Sequence, residues 1–329
     1  MMKALALKKP GTIDGLKIVE IKQPSILADE VRIKVKAVGL NPSDFQTIEY
    51  TKDLDSEQVM ILGLDISGIV EEVGSDVTDF KKGDRVFYLR ELSNKNGGFA
   101  EFSVAKSNHL VNIPDNVSFE VAAASPGAGF TAFKAIEQKL RPIAGKTILI
   151  HGGAGGVGGY AIQLAKRRGA KVITTCLGRD KDYVLDLGAD LVIDFQKENV
   201  YEIIGNYTKG LGVNYILSTI GTGGATKDLT ILAFDGEIAV TSGFPDFSKI
   251  KFYEKQLSIH EIALGLALSN EDLKIQRSIQ SIGEKFVELL TNNEIIPPSI
   301  DLVELEDIPR KLKEIKKGQI TGKVVARIQ

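Results

Sequence analysis

The run Ile150-His151-Gly152-Gly153-Ala154-Gly155-Gly156-Val157-Gly158-Gly159 decides how this chain is read. Before it, Thr147 to His151 is a short β-branched stretch suited to a buried strand; after it, Val157, Tyr160, Ala161, Leu164 and Ala165 recur at helical spacing. Gly153, Gly155 and Gly158 satisfy G-x-G-x-x-G where the pattern has a mechanism, between a strand and a helix. Glycines there permit a tight turn, backbone approach to a pyrophosphate and close helix-on-strand packing, and the helix N-terminus favours negative charge. Gly153, Ala154, Gly155, Gly156, Val157 and Gly158 are therefore the candidate cofactor cradle.

Working outward, Lys171 to Cys176, Leu191 to Asp194 and Val213 to Ser218 read as further strands, with a helix over Asp180 to Leu187. Strands alternating with helices imply an α/β fold with a doubly wound, Rossmann-type parallel sheet. An NAD site would place an acid about 20 residues past the glycines, but Thr174-Thr175-Cys176-Leu177-Gly178 offers none. Arg179 stands 21 residues beyond Gly158, where a guanidinium pairs with a 2'-phosphate, so NADPH is the expected cofactor, with Lys181 a second candidate contact. A solvated helix-start role for Arg179 stays open.

The N-terminal part reads as β. Val31, Ile33 and Val35 alternate with Arg32, Lys34 and Lys36, and Gly68 to Val73, Asp84 to Tyr88 and Phe99 to Val104 follow as short strands. Toward the other end, Ser269 and Asp272 suggest a capped helix from about Asn270 through Leu290, and Ile300 to Val303 and Lys323 to Ile328 are strands again.

Composition excludes several classes. Of 329 residues 43% are hydrophobic and 26% charged, the balance of an ordinary globular chain, and a net charge of -2 gives no bulk footprint for nucleic acid or an anionic membrane. One cysteine, Cys176, and three histidines fill neither an intramolecular disulfide nor a Cys-rich zinc site, so no metal and a reducing, cytoplasmic location are expected. No stretch reads as a signal peptide or membrane span. Gly145-Lys146-Thr147 precedes its strand and is a false P-loop match; no Tyr is followed by Lys four positions later, and no G-x-S-x-G exists. His109, His151, His260 and Cys176 read as structural.

Several stretches together resemble medium-chain dehydrogenase/reductases: Ala37 to Asp44, Gly63 to Val70, Val73 to Val86, Gly97 to Phe102, Gly129 to Ala132, the glycine loop and Thr321-Gly322-Lys323-Val324-Val325. The resemblance spans nearly the whole chain and is nearest to the zinc-independent NADPH quinone oxidoreductase and enone reductase group. It implies a GroES-like, β-rich catalytic domain from residues 1–126 and 266–329, and a Rossmann NADPH-binding domain over 127–265. Where zinc alcohol dehydrogenases carry a Cys ligand this chain has Asn41, and where they carry His-Glu it has Leu64-Asp65, which again implies no metal. Phe195 stands where members often carry a tyrosine near the adenosine phosphate.

The resemblance further implies hydride transfer to quinones or α,β-unsaturated carbonyls, whose conjugated oxygen takes up charge without a metal. Asn41 would donate its amide to that oxygen and Asp44 would order Asn41 or the cofactor ribose, although an Asn-Pro-x-Asp turn accounts for both equally well. Tyr50 is a candidate proton donor or stacker, with an exposed loop tyrosine and a proton from water as the open alternatives. By resemblance, Thr131 and Ser242-Gly243 lie at the nicotinamide and Lys323 is a cofactor-side lysine. The resemblance also implies a homodimer or homotetramer, for which Gly236 to Val240 and Gln256 to Ile262 could offer an edge. The alternative is an NADPH-binding redox sensor, structural or RNA-binding protein of the same fold with little turnover.

Overall fold

Alternation along Glu30–Gly39 does what its pattern predicts: Val31, Ile33 and Val35 are fully buried while the intervening side chains reach the surface. The computed structural model describes residues 1–52, 59–251 and 253–328. They form two units, Met1–Phe130 with Leu264–Gln329, and Thr131–Ala263.

The first unit is β-rich. One sheet orders its strands as Ile300–Glu304, Lys323–Arg327, Glu30–Gly39, Asp65–Val73, Arg85–Leu89 and Val111–Asn112, with Phe102–Lys106 also paired to Glu30–Gly39. A smaller sheet joins Leu16–Ile21, Met2–Leu7 and Met60–Ile61. A shared core including Leu5, Ile33, Val38, Ile66, Tyr88 and Phe99 lies among these strands. The strand expected from Phe99 begins instead at Phe102, because the Phe99 carbonyl accepts from the Leu5 N–H and Ala100 bridges to Ala4, in the smaller sheet.

The long helix runs Leu273–Thr291. It starts later than the Ser269 pattern suggests because Asn270 Oδ1 accepts the Asp272 N–H at 2.9 Å and Asp272 Oδ1 accepts the Lys274 N–H at 2.8 Å. Asp272 is thus the N-cap itself, not the third residue of a box.

The second unit is a six-stranded sheet in the order Leu191–Asp194, Lys171–Cys176, Thr147–Ile150, Val213–Ser218, Leu232–Val240 and Ser258–Glu261, parallel throughout. Three of these strands, Lys171–Cys176, Leu191–Asp194 and Val213–Ser218, have the bounds read from the sequence. The order reverses between Thr147–Ile150 and Val213–Ser218, the position at which open α/β sheets bind ligands beyond their carboxyl ends. Among the described residues no helix is long and apolar enough to cross a membrane.

Candidate active site

In the first unit the chain leaves the strand Glu30–Gly39, passes Leu40 and Asn41, and enters the helix Pro42–Tyr50 with proline at its first turn. Asp44 Oδ2 accepts the Asn41 backbone N–H at 2.8 Å, closing that turn, and Asp44 Oδ1 accepts the Gly63 N–H at 3.2 Å. Sheet register supplies the rest. Val325 pairs with Gly39, and Asp65 pairs with Gly39 from the other side, so Lys323 and Asp65 both arrive at Asn41. Lys323 Nζ donates to Leu40 O at 2.9 Å, Asn41 Oδ1 at 2.7 Å and Asp65 Oδ2 at 3.0 Å, which uses all three ammonium donors. The other Asp65 oxygen accepts from Gly127 N at 2.7 Å. Only glycine serves at 127, since an added Cβ would lie 2.8 Å from Asp65 Oδ1 and 3.0 Å from Asn41 Oδ1.

The cluster is dry: Asn41 is 8% exposed, Asp44 1%, Asp65 0% and Lys323 5%. Burial pushes the Asp44 carboxyl up to about 7, with Asp65 adding to the rise, while the Asn41 N–H bond and the cations Arg90 and Lys323 pull it down. Because the folded value lies above the ordinary 3.8, protonation stabilises the fold; the gain is full below about pH 4 and is lost as pH rises to 7. The stability of the natural chain minus that of Asp44→Ala should therefore fall across this window, by about 1.4 kcal/mol per pH unit at most. Urea unfolding at pH 5, 6 and 7 measures it, and a flat difference contradicts the assignment.

Tyr50 is 81% exposed at the last residue of its helix, about two turns from Asn41. The structure thus gathers Asn41, Asp44 and Lys323 and leaves Tyr50 outside. It adds Asp65, which the sequence presents only as a departure from a metal ligand.

In the second unit the glycine loop follows the strand Thr147–Ile150 and opens the helix Gly156–Arg167. An added Cβ on Gly153 would lie 2.1 Å from Thr174 Oγ1, and one on Gly158 2.2 Å from Gly152 O, so neither position admits a side chain. The helix has no side-chain cap at Gly155 and no acid in its first turn, which leaves a positive N-terminus open to an anion.

His151 anchors the loop from below. Gly152 N–H donates to Thr175 Oγ1 at 3.1 Å, Thr175 Oγ1 lies 3.2 Å from His151 Nδ1, and His151 Nε2 lies 3.0 Å from Asp228 Oδ1. The only polarity that satisfies each member runs from Thr175 O–H to Nδ1 and from Nε2–H to Asp228, whose second oxygen accepts from Ser218 Oγ at 2.7 Å.

Parallel strands bring the segments after Ile150, Cys176 and Val240 to one edge of the sheet. The edge therefore carries the glycine loop, Arg179 and Lys181, and the exposed pair Ser242-Gly243. Arg179 is half exposed, with Nε 3.7 Å from Asp180 Oδ2. Lys181 lines a cavity of about 240 Å³ with Cys176, Gly178, Asp194 and Lys197. Asp194, brought level with Cys176 by the parallel register, is an acid the sequence reading missed. Burial, with Asp180 and Asp194 nearby, pushes the Cys176 thiol up to about 11, which keeps it a neutral core residue. Thr131 heads the short helix Thr131–Phe133, which packs on Gly156–Arg167.

Comparison with known proteins adds the family. The model for the alcohol dehydrogenase GroES-like domain matches residues 27–115, and that for zinc-binding dehydrogenase residues 156–280. The chain is 30% identical to a quinone oxidoreductase of Sus scrofa over 285 residues, 85% of this chain and 86% of that one. It is 38% identical to the chloroplastic NADPH-dependent alkenal/one oxidoreductase of Arabidopsis thaliana over 251 residues, 74% of this chain and 63% of that one. A solved quinone oxidoreductase of Pseudomonas syringae superposes with a TM-score of 0.88 at 27% identity, covering 99% of this chain and 100% of that one.

The description of the second family model implies zinc, and the donor set does not fit it. Among the described residues no three His, Cys, Asp or Glu side chains converge as ligands, and Asp65 and Asn41 already hold the Lys323 ammonium. The two domain matches, the quinone and alkenal/one reductase relatives and the shared fold lead to one assignment: the chain belongs to the medium-chain dehydrogenase/reductase superfamily, in its quinone oxidoreductase group, and is an oxidoreductase.

Proposed function

We propose that the chain transfers hydride from NADPH to quinones or α,β-unsaturated carbonyls without a metal ion. The observation that carries the reading is the glycine loop, whose side-chain-free turn opens an uncapped helix at the sheet's switch point, with Arg179 and Lys181 after the next strand. The backbone of Gly153 to Gly158 would hold the pyrophosphate, and Arg179 with Lys181 the 2'-phosphate. When bound, NADPH supplies the hydride from its nicotinamide ring. Thr131 and Ser242-Gly243 would flank that ring.

On the acceptor side, the Asn41 amide is oriented by Lys323, which fixes Oδ1 and leaves Nδ2 with one long bond, 3.4 Å to Gly39 O. That N–H would stabilise charge growing on a conjugated oxygen, and water supplies the proton that completes the reduction. In this reading Lys323 is a positioning residue acting through Asn41, since a cofactor contact would require it to leave one of its three acceptors. The outer strand Ser258–Glu261 has no further strand beside it among the described residues, which supports pairing of two copies there.

Arg179→Ala is expected to weaken NADPH binding by about 10- to 100-fold, the loss of one charge-assisted contact, and to leave NADH binding unchanged. Fluorescence titration with both nucleotides measures this, and equal binding of the two by the natural chain would overturn the 2'-phosphate assignment. Turnover with a panel of quinones and enones should proceed at full rate after chelation. Stoichiometric zinc that activity requires would reverse the metal-free reading.

A further inference from the structure

On the Arg90 side of the cluster, the first unit contains a cavity of about 280 Å³ lined by Glu30, Tyr88, Arg90, Glu91, Lys106 and His109, among others. It falls just below the range of drug-sized ligand cavities, which starts at about 300 Å³, and so has room for a few heavy atoms only. Arg90 is 3% exposed, and its guanidinium makes one hydrogen bond among the described residues, from Nε to Gly63 O at 3.2 Å. Neither Nη nitrogen makes a hydrogen bond or ion pair among the described residues, and neither is a fully enclosed unpaired atom, so their four N–H groups have access to the cavity. A buried guanidinium left so incompletely paired is costly unless something else takes those donors.

The remaining walls show what that would be. Lys106 Nζ is half-buried and makes no ion pair among the described residues. The two carboxylates are engaged locally instead: Glu30 Oε2 accepts the Leu27 N–H at 2.8 Å, and Glu91 Oε1 accepts from Ser93 Oγ. Burial lowers the basicity of His109, against the opposing pull of Gln276 Oε1, 3.3 Å from Nε2. The two cations of the cavity therefore make no hydrogen bond or ion pair to its two carboxylates among the described residues, and offer open donors as a fork and a point charge. Glu30 and Glu91 make the walls unsuitable for a doubly charged phosphate.

We propose that this cavity binds a small organic monocarboxylate, held bidentately by the Nη atoms of Arg90 with Lys106 as the second cation.

Ligand-detected NMR tests it on the full chain, with acetate and propionate as probes at constant ionic strength and inorganic phosphate as the comparison anion. Saturable binding of the carboxylates is expected, weakened roughly tenfold or more in Arg90→Gln and severalfold in Lys106→Gln, and unchanged in Arg179→Gln. Lys106 is half-exposed and decides the matter if Arg90→Gln does not fold. Absence of saturable carboxylate binding overturns the proposal. So does binding that Lys106→Gln and a folded Arg90→Gln leave untouched, or phosphate bound more tightly than either carboxylate.

Discussion

Lys323→Met is expected to destabilise the chain by about 3 to 5 kcal/mol. The ammonium is 5% exposed and holds three acceptors at once, while Asp65 is fully buried and among the described residues has only the Gly127 N–H besides. Removing the cation leaves a carboxylate in a dry site with half its hydrogen bonding gone, and such a charge costs more than the pair gains. Met preserves most of the volume, so the loss reports charge and hydrogen bonding, not a cavity. Urea unfolding measures the loss. Combining Lys323→Met with Asp65→Asn should recover a large part of it, because the amide oxygen still accepts from Gly127 without carrying charge. A single-variant loss below about 1 kcal/mol would mean that the ammonium does not satisfy this group of acceptors.

That pair also shows where reading a sequence stops. The glycine loop was legible because its determinants are adjacent: a β-branched stretch, the spaced glycines and a helical period lie within twenty residues. The strands Lys171–Cys176 and Leu191–Asp194 were legible for the same reason. Lys323 and Asp65, in contrast, lie 258 residues apart, and only the register of the central sheet brings both to Asn41. Asp65 was read as the residue that replaces a metal ligand, and nothing in its neighbourhood announces a lysine partner.

Arg90 left still less signal. It ends the strand-like run Val86-Phe87-Tyr88-Leu89, where an arginine ordinarily points to solvent, and its burial follows from a bond to Gly63 on another segment. Asp194 falls between these cases. An acid at the end of the third strand is visible in the sequence, but its position beside Cys176 depends on the parallel register.

Asn41→Ala is expected to lower kcat for a quinone and an enone by about 10- to 1000-fold while leaving the NADPH dissociation constant unchanged. An N–H that strengthens its bond as the acceptor oxygen gains charge acts on the transition state and little on the ground state, so the loss belongs in kcat. The structure gives the control. Asn41 Oδ1 accepts from Lys323 Nζ at 2.7 Å, so alanine removes a structural acceptor along with the proposed donor. Asn41→Asp keeps the acceptor and replaces the donor by a second acceptor oxygen, while adding a carboxyl beside Asp44 and Asp65. If the amide N–H is the working group, both variants lose kcat. If the residue serves only to seat Lys323, Asn41→Asp retains kcat and Asn41→Ala loses stability instead, as urea unfolding would register. An unchanged kcat in Asn41→Ala for both acceptors removes this residue from the chemistry, and orientation of the acceptor by the pocket alone would then have to account for the rate.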